Sequence, residues 1–208
     1  HRTVMPERFV EHYGGGTWFK AAFLHTFTFL ALSFLLVNPP FGDIAAPELA
    51  SKWTVVADDG EELTYPHGMA TSGATLTWYT EGSPILEGEA WLLFGLMDNV
   101  NSDGAVVEVT REYQANETIR EDNISYWNNN AERIANGTST SNKSAPNLTP
   151  HGDLDQPFSV FLGTDLEEGT HKIVVKITEE GDPWQNVQRY TWNLVISSES
   201  AVQDSKSE

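Results

Sequence analysis

Residues 165–196, DLEEGTHKIVVKITEEGDPWQNVQRYTWNLVI, decide the fold class. Apolar side chains occupy alternate positions in both halves of this stretch, and charged or polar residues stand between them. The two alternating sets are Ile173, Val175 and Ile177, followed by Tyr190, Trp192, Leu194 and Ile196. Because successive side chains of a strand point to opposite faces, each half predicts a strand with one buried face. The acidic segment between them predicts the turn of an antiparallel hairpin.

Short apolar segments of the same kind precede this hairpin, back to residue 44. Glycine, proline and acidic residues separate them, a pattern typical of all-β domains. With the hairpin included, we predict seven strands, near residues 52–57, 74–80, 91–97, 105–113, 158–163, 171–179 and 187–197. Seven short strands favour a β-sandwich, so the predicted fold class is all-β.

The same 165–196 stretch resembles the closing hairpin of immunoglobulin-like surface domains of the PKD and cadherin-like kind. The shared features are a leucine and glycine turn, an alternating strand, an acidic turn and a final strand. The resemblance covers 32 residues and implies an Ig-like β-sandwich. It implies no ligand residues, because the calcium ligands of cadherin-like domains have no matching positions in this chain.

Residues 114–156 interrupt the apolar pattern, since asparagine, serine and threonine dominate there. We interpret this segment as a long polar insertion in the sandwich. Four apolar residues spaced by three or four positions, with helix-capping residue types before them and Gly137 after them, predict one short packed helix. These four are Ile124, Trp127, Ala131 and Ile134. The remainder of the insertion is expected to be a mobile loop.

The insertion also contains every Asn-x-Ser/Thr triplet of the chain. They begin at Asn116, Asn123, Asn136, Asn142 and Asn147. None lies in a predicted strand, and an external location would expose them to N-glycosylation. An asparagine-rich composition also produces such triplets by chance, so glycosylation and coincidence both stay open.

A second decisive stretch is the hydrophobic run at residues 18–40. Seventeen uncharged residues, 21–37, follow Lys20, and Asn38-Pro39-Pro40 ends the run. Twenty residues of helix span about 30 Å, which is the thickness of the hydrocarbon layer of a bilayer. A cleaved signal peptide has a shorter apolar core and a small-residue cleavage site, and a soluble core helix has a polar stripe. We therefore predict a single transmembrane anchor.

The flanking charges predict the orientation of this anchor. Residues 1–20 carry a net charge of +1, whereas the rest of the chain carries −19. Positive residues favour the cytoplasmic side. We expect residues 1–17 to be a cytoplasmic tail, 18–40 the anchor, 44–197 the extracytoplasmic sandwich and 198–208 a disordered acidic tail.

One face of the predicted anchor helix is small and polar. When the run is plotted at 100° per residue, this face contains Ala21, Ala22, His25, Thr26, Thr28 and Ser33. Small and polar residues let membrane helices pack closely and hydrogen-bond to one another. We expect this face to contact a partner helix, with Ala22, His25, Thr26 and Ser33 at its centre.

Composition narrows the classes of function. A net charge of −18 repels phosphate backbones and makes nucleic acid an unfavourable partner. The absence of cysteine excludes thiol catalysis, disulfides and blue-copper ligation, and favours a prokaryotic surface, with archaea included. The sequence has no nucleophile-elbow or phosphate-loop motif. We therefore expect a non-catalytic protein without a cofactor.

Three weaker candidate sites remain. Asn99, Asn101 and Asp103 have the spacing of half a calcium loop, but the second half is missing and a hairpin turn is favoured. A second set of residues could offer soft ligands to copper, although positions on surface loops explain these residues better. This set is His67, Met69, His151 and His171. Trp184, in the acidic EEGDPWQN turn, is the aromatic residue best placed to contact a ligand such as a glycan.

Together these features favour a membrane-anchored subunit that binds or assembles with other membrane or surface proteins outside the cell. A filament subunit of the archaellin or pilin type, or one associated with a surface layer, is the first alternative. A carbohydrate-binding domain or a copper-dependent oxidase accessory is the second.

Overall fold

The computed structural model describes residues 14–38, 41–98, 104–121, 124–139, 143–182 and 184–199. Within them lie a long N-terminal helix, two short helices, one turn of 3-10 helix and nine strands. The helices are α1 (Gly15–Leu36), α2 (Ile124–Asn129) and α3 (Ala131–Asn136), and the 3-10 turn is Gly152–Leu154. The strands are β1 (Glu48–Asp58), β2 (Leu63–Thr64), β3 (Thr75–Tyr79), β4 (Ile85–Met97), β5 (Val106–Tyr113), β6 (Asn116–Glu121), β7 (Gln156–Glu167), β8 (Gly169–Glu179) and β9 (Asn186–Ser197).

The strands form two sheets that face each other as a β-sandwich. The four-stranded sheet has the order β2-β1-β4-β7, and the five-stranded sheet has the order β3-β9-β8-β5-β6. Neighbouring strands are antiparallel except for β3 and β9, which are parallel. The predicted closing hairpin is confirmed as β8 and β9, where Val175 lies opposite Tyr190 and Ile173 opposite Trp192.

The seven predicted strands correspond to β1, β3, β4, β5, β7, β8 and β9, and the prediction omitted β2 and β6. Strand β2 has two residues and is too short to show a period. Strand β6, NETIRE, is a polar edge strand with no apolar alternation. The hairpin from β5 to β6 turns through Gln114 and Ala115, both with positive φ, although such turns usually use asparagine or glycine. Neither strand therefore had a recognisable signal.

The main core lies between the sheets and contains the predicted inward faces. Ile173, Val175 and Ile177 are fully buried, and Trp192, Leu194 and Ile196 are nearly so. Trp53 of β1 stacks on Trp192 of β9 with ring centroids 4.7 Å apart, which joins the two sheets at the centre of the domain. Such aromatic pairs add to the stabilisation that burial of their area provides.

A second apolar cluster covers the outer face of the four-stranded sheet, and part of the predicted insertion belongs to it. Strand β6 belongs to the five-stranded sheet, and two short helices replace the single predicted helix. Trp91 of β4 stacks on Tyr126 of α2 at 3.7 Å, while Ile134 of α3 and Leu148 are buried beside them. The four-stranded sheet is therefore covered on both faces, and part of the polar segment supplies its outer cover.

Helix α1 begins at Gly15, three residues before the predicted start, and ends at Leu36. Its 22 residues extend about 33 Å, enough to cross the apolar layer of a bilayer. No residue of α1 is buried against the described part of the sandwich. Residues 1–13 and 200–208, the outer parts of the two predicted tails, lie outside the described residues.

Candidate functional site

The chain enters the sandwich at one end soon after α1, and we call this end the helix-proximal end. Here the start of β1 pairs with the end of β4, and the end of β8 pairs with the start of β9. Asp43 makes the first bridge from the helix connection to this end, seven residues after Leu36. Seven residues of chain reach at most about 25 Å, so the end of α1 and this end of the sandwich are near neighbours.

The connection is held by specific hydrogen bonds. The Asn38 side chain caps α1 by donating to the Phe34 carbonyl at 2.6 Å, and the Gly42 N–H donates to the Asn38 carbonyl at 3.1 Å. The backbones of Asp43 and Asp182 then exchange two hydrogen bonds of 2.9 Å each. The segment after α1 is thereby fastened to the loop between β8 and β9.

Three carboxylates converge at this end. One oxygen from each of Asp43, Asp98 and Glu179 lies within 4.8 Å of the others. Asp43 follows α1, Asp98 follows β4, and Glu179 is the last residue of β8. Glu179 is only 4% exposed, and Asp43 and Asp98 are half-buried. We call these three residues the acidic cluster.

The cluster is electrostatically unfavourable as it stands. Burial, followed by the charges of Asp98 and Asp43, raises the pKa of Glu179 to about 7. Burial and the charge of Asp98 also raise the pKa of Asp43, although a hydrogen bond from the Ala45 backbone partly opposes this rise. Three carboxylates this close together can accept a proton or a cation, because either one lowers the repulsion between them.

Neither carboxylate oxygen of Glu179 accepts a hydrogen bond. The side-chain amide of Asn186 lies close enough to lower the pKa of Glu179 slightly. However, that amide donates to the carbonyls of Ala45 at 2.7 Å and Asp43 at 3.3 Å, and so holds the helix connection instead. An unsatisfied and buried carboxylate is costly, because burial removes its hydration without replacing it.

An apolar rim lies at the same end of the sandwich as the acidic cluster. Outside α1 and Val37, every exposed large apolar side chain of the described residues lies at the helix-proximal end. These side chains, which we call the apolar rim, are Phe41, Ile44, Val106, Leu154, Trp184 and Val187. Their concentration at one end distinguishes them from the scattered apolar residues of an ordinary protein surface.

A shallow cleft of about 360 Å³ opens beside the cluster. Its walls are mostly apolar, with Ala45, Ala46, Met97 and Leu154 among them, and Asp98 lies at its edge. His151 also lines the cleft, where its ring is 3.1 Å from the Asp155 carboxylate. The described residues that line the cleft include no serine, cysteine or lysine.

The structure disperses the four residues that were weighed as soft metal ligands against positions on surface loops. Met69 is buried in the outer cluster, and His67 lies on an exposed loop. His171 is fully buried, with Nε2 2.8 Å from the Glu167 carbonyl and Nδ1 3.2 Å from Arg111. Burial lowers the pKa of His171 and favours its neutral form. Within the described residues, the group with the geometry to hold a metal is the acidic cluster, which contains no histidine.

The other predicted site residues are only partly described. Asn99, Asn101 and Asp103 lie outside the described residues, as do Asn123 and Asn142. Asn136 and Asn147 are exposed, and Asn116 is the first residue of β6. Trp184 is exposed, and its ligand stays a prediction. The helix face of Ala22, His25, Thr26 and Ser33 has no contact that tests it.

Comparison with known proteins provides no family assignment. No protein-family model matches the chain, and no curated protein sequence matches it. The functional conclusions therefore depend on the geometry of the chain itself.

Proposed function

We propose that this protein is a membrane-anchored, non-catalytic subunit that assembles with other membrane or surface proteins through its helix and its sandwich. The observation that carries the proposal is the exposure of α1. Its 22 residues include one charge, Lys20, and none of them is buried. Exposure of so much apolar surface to water is very unfavourable, so lipid or a partner helix must cover it.

The apolar rim supports a position of the sandwich directly against the bilayer. The rim lies on the same side of the domain as the end of α1, and it includes the aromatic residues Phe41 and Trp184. Tryptophan is enriched at membrane interfaces because its ring is apolar and its N–H is polar. In this arrangement the rim contacts the headgroup region, and the remainder of the sandwich projects outward.

The order of the strands supports the Ig-like interpretation. In Ig domains the third strand lies with the last two in one sheet, and the first, second and fifth lie in the other. With β2 and β3 left out of the count, the third strand is β5, and it shares the five-stranded sheet with the last two strands, β8 and β9. The first, second and fifth strands are then β1, β4 and β7, which share the four-stranded sheet. Domains of this shape serve many binding functions, so the fold supports a binding role without naming its ligand.

The small and polar face of α1 supports assembly with another membrane helix. At 100° per residue, Ala22, Thr26 and Ser33 fall within about 40° of one another, on a side that also contains Phe29, whereas Phe23, Phe27 and Leu30 project elsewhere. Close packing and interhelical hydrogen bonds can follow along such a face. A filament subunit fits less well, because its helix would normally continue, whereas α1 ends at Leu36 and the chain turns at Asn38.

Two experiments test this proposal. Protease added to intact cells should remove the sandwich and spare the residues before α1; protection of the sandwich would contradict the proposed orientation. Extraction of the native protein in mild detergent should recover it with a second membrane protein. Substitution of Ala22 and Ser33 by leucine should reduce that recovery, whereas leucine at Phe23 and Phe27 should not. A lone monomer in every extract would contradict assembly.

A further inference from the structure

We propose that Asp43, Asp98 and Glu179 form a binding site for a calcium-class divalent cation, which ties the segment after α1 to strands β4 and β8. This inference does not depend on the proposed membrane function, because it rests on the geometry of the sandwich. It also differs from the weak calcium candidate of the sequence, which used Asn99, Asn101 and Asp103.

The first reason is the state of Glu179. Glu179 is only 4% exposed, and its carboxylate points into the cluster. Neither oxygen of this carboxylate has a hydrogen-bond partner. The nearest amide, on Asn186, donates to two carbonyls instead. Buried polar atoms in native proteins are almost always satisfied, so two unsatisfied oxygens on one carboxylate indicate a site that binds a ligand. A cation satisfies both oxygens at once.

The second reason is the size of the site. The carboxylate oxygens lie within 4.8 Å of one another. Calcium binds oxygen at about 2.3–2.6 Å, so two oxygens on opposite sides of the ion are about 5 Å apart. Magnesium binds at about 2.0–2.1 Å in strict octahedral geometry and retains its waters more strongly. Three carboxylates from three separate segments of the chain, with water completing the shell, suit calcium better.

The third reason is charge. Glu179 is buried and belongs to none of the described ion pairs, and Asp43 and Asp98 place two more carboxylates within 4.8 Å of it. When ionised, the cluster holds three negative charges in a partly buried space. A divalent ion neutralises most of this charge and removes the repulsion between the carboxylates.

The consequence of binding follows from where the ligands lie. Asp43 belongs to the helix connection, whereas Asp98 and Glu179 belong to different sheets. A bound ion thus joins the connection to both layers of the sandwich at the helix-proximal end. The hydrogen bonds between Asp43 and Asp182 already align this segment, and the ion would add a stronger restraint at the same point.

The test is titration of the full chain in detergent with calcium chloride, after removal of metals by a chelating resin. Isothermal titration calorimetry should detect one site with a Kd between about 10⁻⁵ and 10⁻³ M, and weaker binding of magnesium chloride. The variants Glu179→Gln and Asp98→Asn should each weaken calcium binding at least tenfold. Glu180→Gln, a change of the same size at the exposed neighbouring residue, should leave it unchanged.

Near-UV circular dichroism verifies that each variant is folded, and Asp43→Asn replaces any variant that is not. Calcium should also raise the unfolding temperature of the wild type, as a ligand of the native state must, and not that of Glu179→Gln. Absence of calcium binding to the folded wild type would overturn the proposal. Calcium binding that Glu179→Gln and Asp98→Asn leave intact would overturn it too, since the ion would then lie elsewhere.

Discussion

Arg133 of α3 lies 2.7 Å from Asp58 at the end of β1, and this ion pair fastens a segment predicted as an insertion to the four-stranded sheet. The Asp58 carboxylate also accepts a hydrogen bond from the Tyr126 hydroxyl at 2.8 Å and one from the Gly60 N–H at 2.8 Å. The side chain of Asp58 is 8% exposed, so these bonds replace most of its hydration. Helices α2 and α3 are thus attached to the sheet by polar as well as apolar contacts.

Loss of Arg133 should therefore destabilise the domain. Arg133→Met keeps much of the side-chain volume but leaves the buried carboxylate without its charged partner, and we expect a loss of about 2 kcal/mol in the free energy of unfolding. Lys172→Met is the matched control, because Lys172 and Glu112 are both 48% exposed and such pairs contribute at most about 0.5 kcal/mol. Urea denaturation of both variants measures the difference, and equal losses would contradict the assigned role of Asp58.

The same pair predicts a response to acid. Burial raises the pKa of Asp58, but hydrogen bonds from Arg133, Gly60 and Tyr126 and the charge of Arg133 outweigh it, and the pKa falls below its usual value of 3.8. A carboxyl whose pKa is lower in the folded state than in the unfolded state stabilises the protein at pH values above the unfolded-state pKa. This stabilisation is lost as the pH falls through the folded-state pKa. The stability difference between wild type and Arg133→Met should be constant near pH 6 and shrink below about pH 4. A difference independent of pH would contradict this assignment.

The closing hairpin was predictable because alternation along residues 171–179 and 187–197 reports one buried face directly. The outer cover of the four-stranded sheet was not predicted, although residues 91–96 are all apolar. A continuous apolar strand indicates burial on both faces. The residues that provide the second layer, such as Tyr126 and Leu148, lie within polar sequence, and their spacing alone did not show which surface they cover.

Gly95 of β4 tests whether the segment around Leu148 is fixed on the sheet. A Cβ atom at Gly95 would collide with the Leu148 carbonyl and lie 2.8 Å from Thr149 Cγ2. Gly95→Ala should therefore cost about 2 kcal/mol, because backbone cannot move aside as a flexible side chain can. Gly104→Ala, where a Cβ meets nothing within 4 Å, should change stability by less than about 0.5 kcal/mol. Equal stability of the two variants would indicate a loosely attached segment.

The acidic cluster shows a different limit of sequence analysis. Asp43, Asp98 and Glu179 stand far apart in the chain, and in a chain with 30 acidic residues no local pattern distinguishes them. The bridge between Asp43 and Asp182 brings Asp43 to the loop after Glu179, and the packing of the two sheets brings Asp98, after β4, to the same place. The weak calcium candidate at Asn99 began one residue after Asp98, so its position along the chain was close although its ligands differed.

The exposed sequons predict where glycans would attach. Asn136 and Asn147 are both exposed, and a sugar on either side chain would extend into solvent. In a host with N-glycosylation, intact-mass measurement should show added sugar that decreases stepwise in Asn136→Gln and Asn147→Gln. Asn128→Gln, an exposed asparagine of α2 outside any sequon, is the control. A mass equal to that of the bare polypeptide would attribute the sequons to composition.

Trp184 allows a direct test of the position of the sandwich on the bilayer. If the apolar rim contacts the headgroup region, its exposed indole lies within reach of bromine atoms placed at shallow acyl positions, which quench tryptophan fluorescence on contact. Reconstituted wild-type protein should be quenched by such lipids, with Trp18 and Trp184 both contributing. Trp184→Phe should lower the fraction of the fluorescence that is quenched. The control is Trp127→Phe, which removes an indole from the outer face of the four-stranded sheet. It should raise the quenched fraction, because it removes a tryptophan that the lipids do not quench. If Trp184→Phe also raised the quenched fraction, Trp184 would be in water, and contact of the rim with lipid would be ruled out.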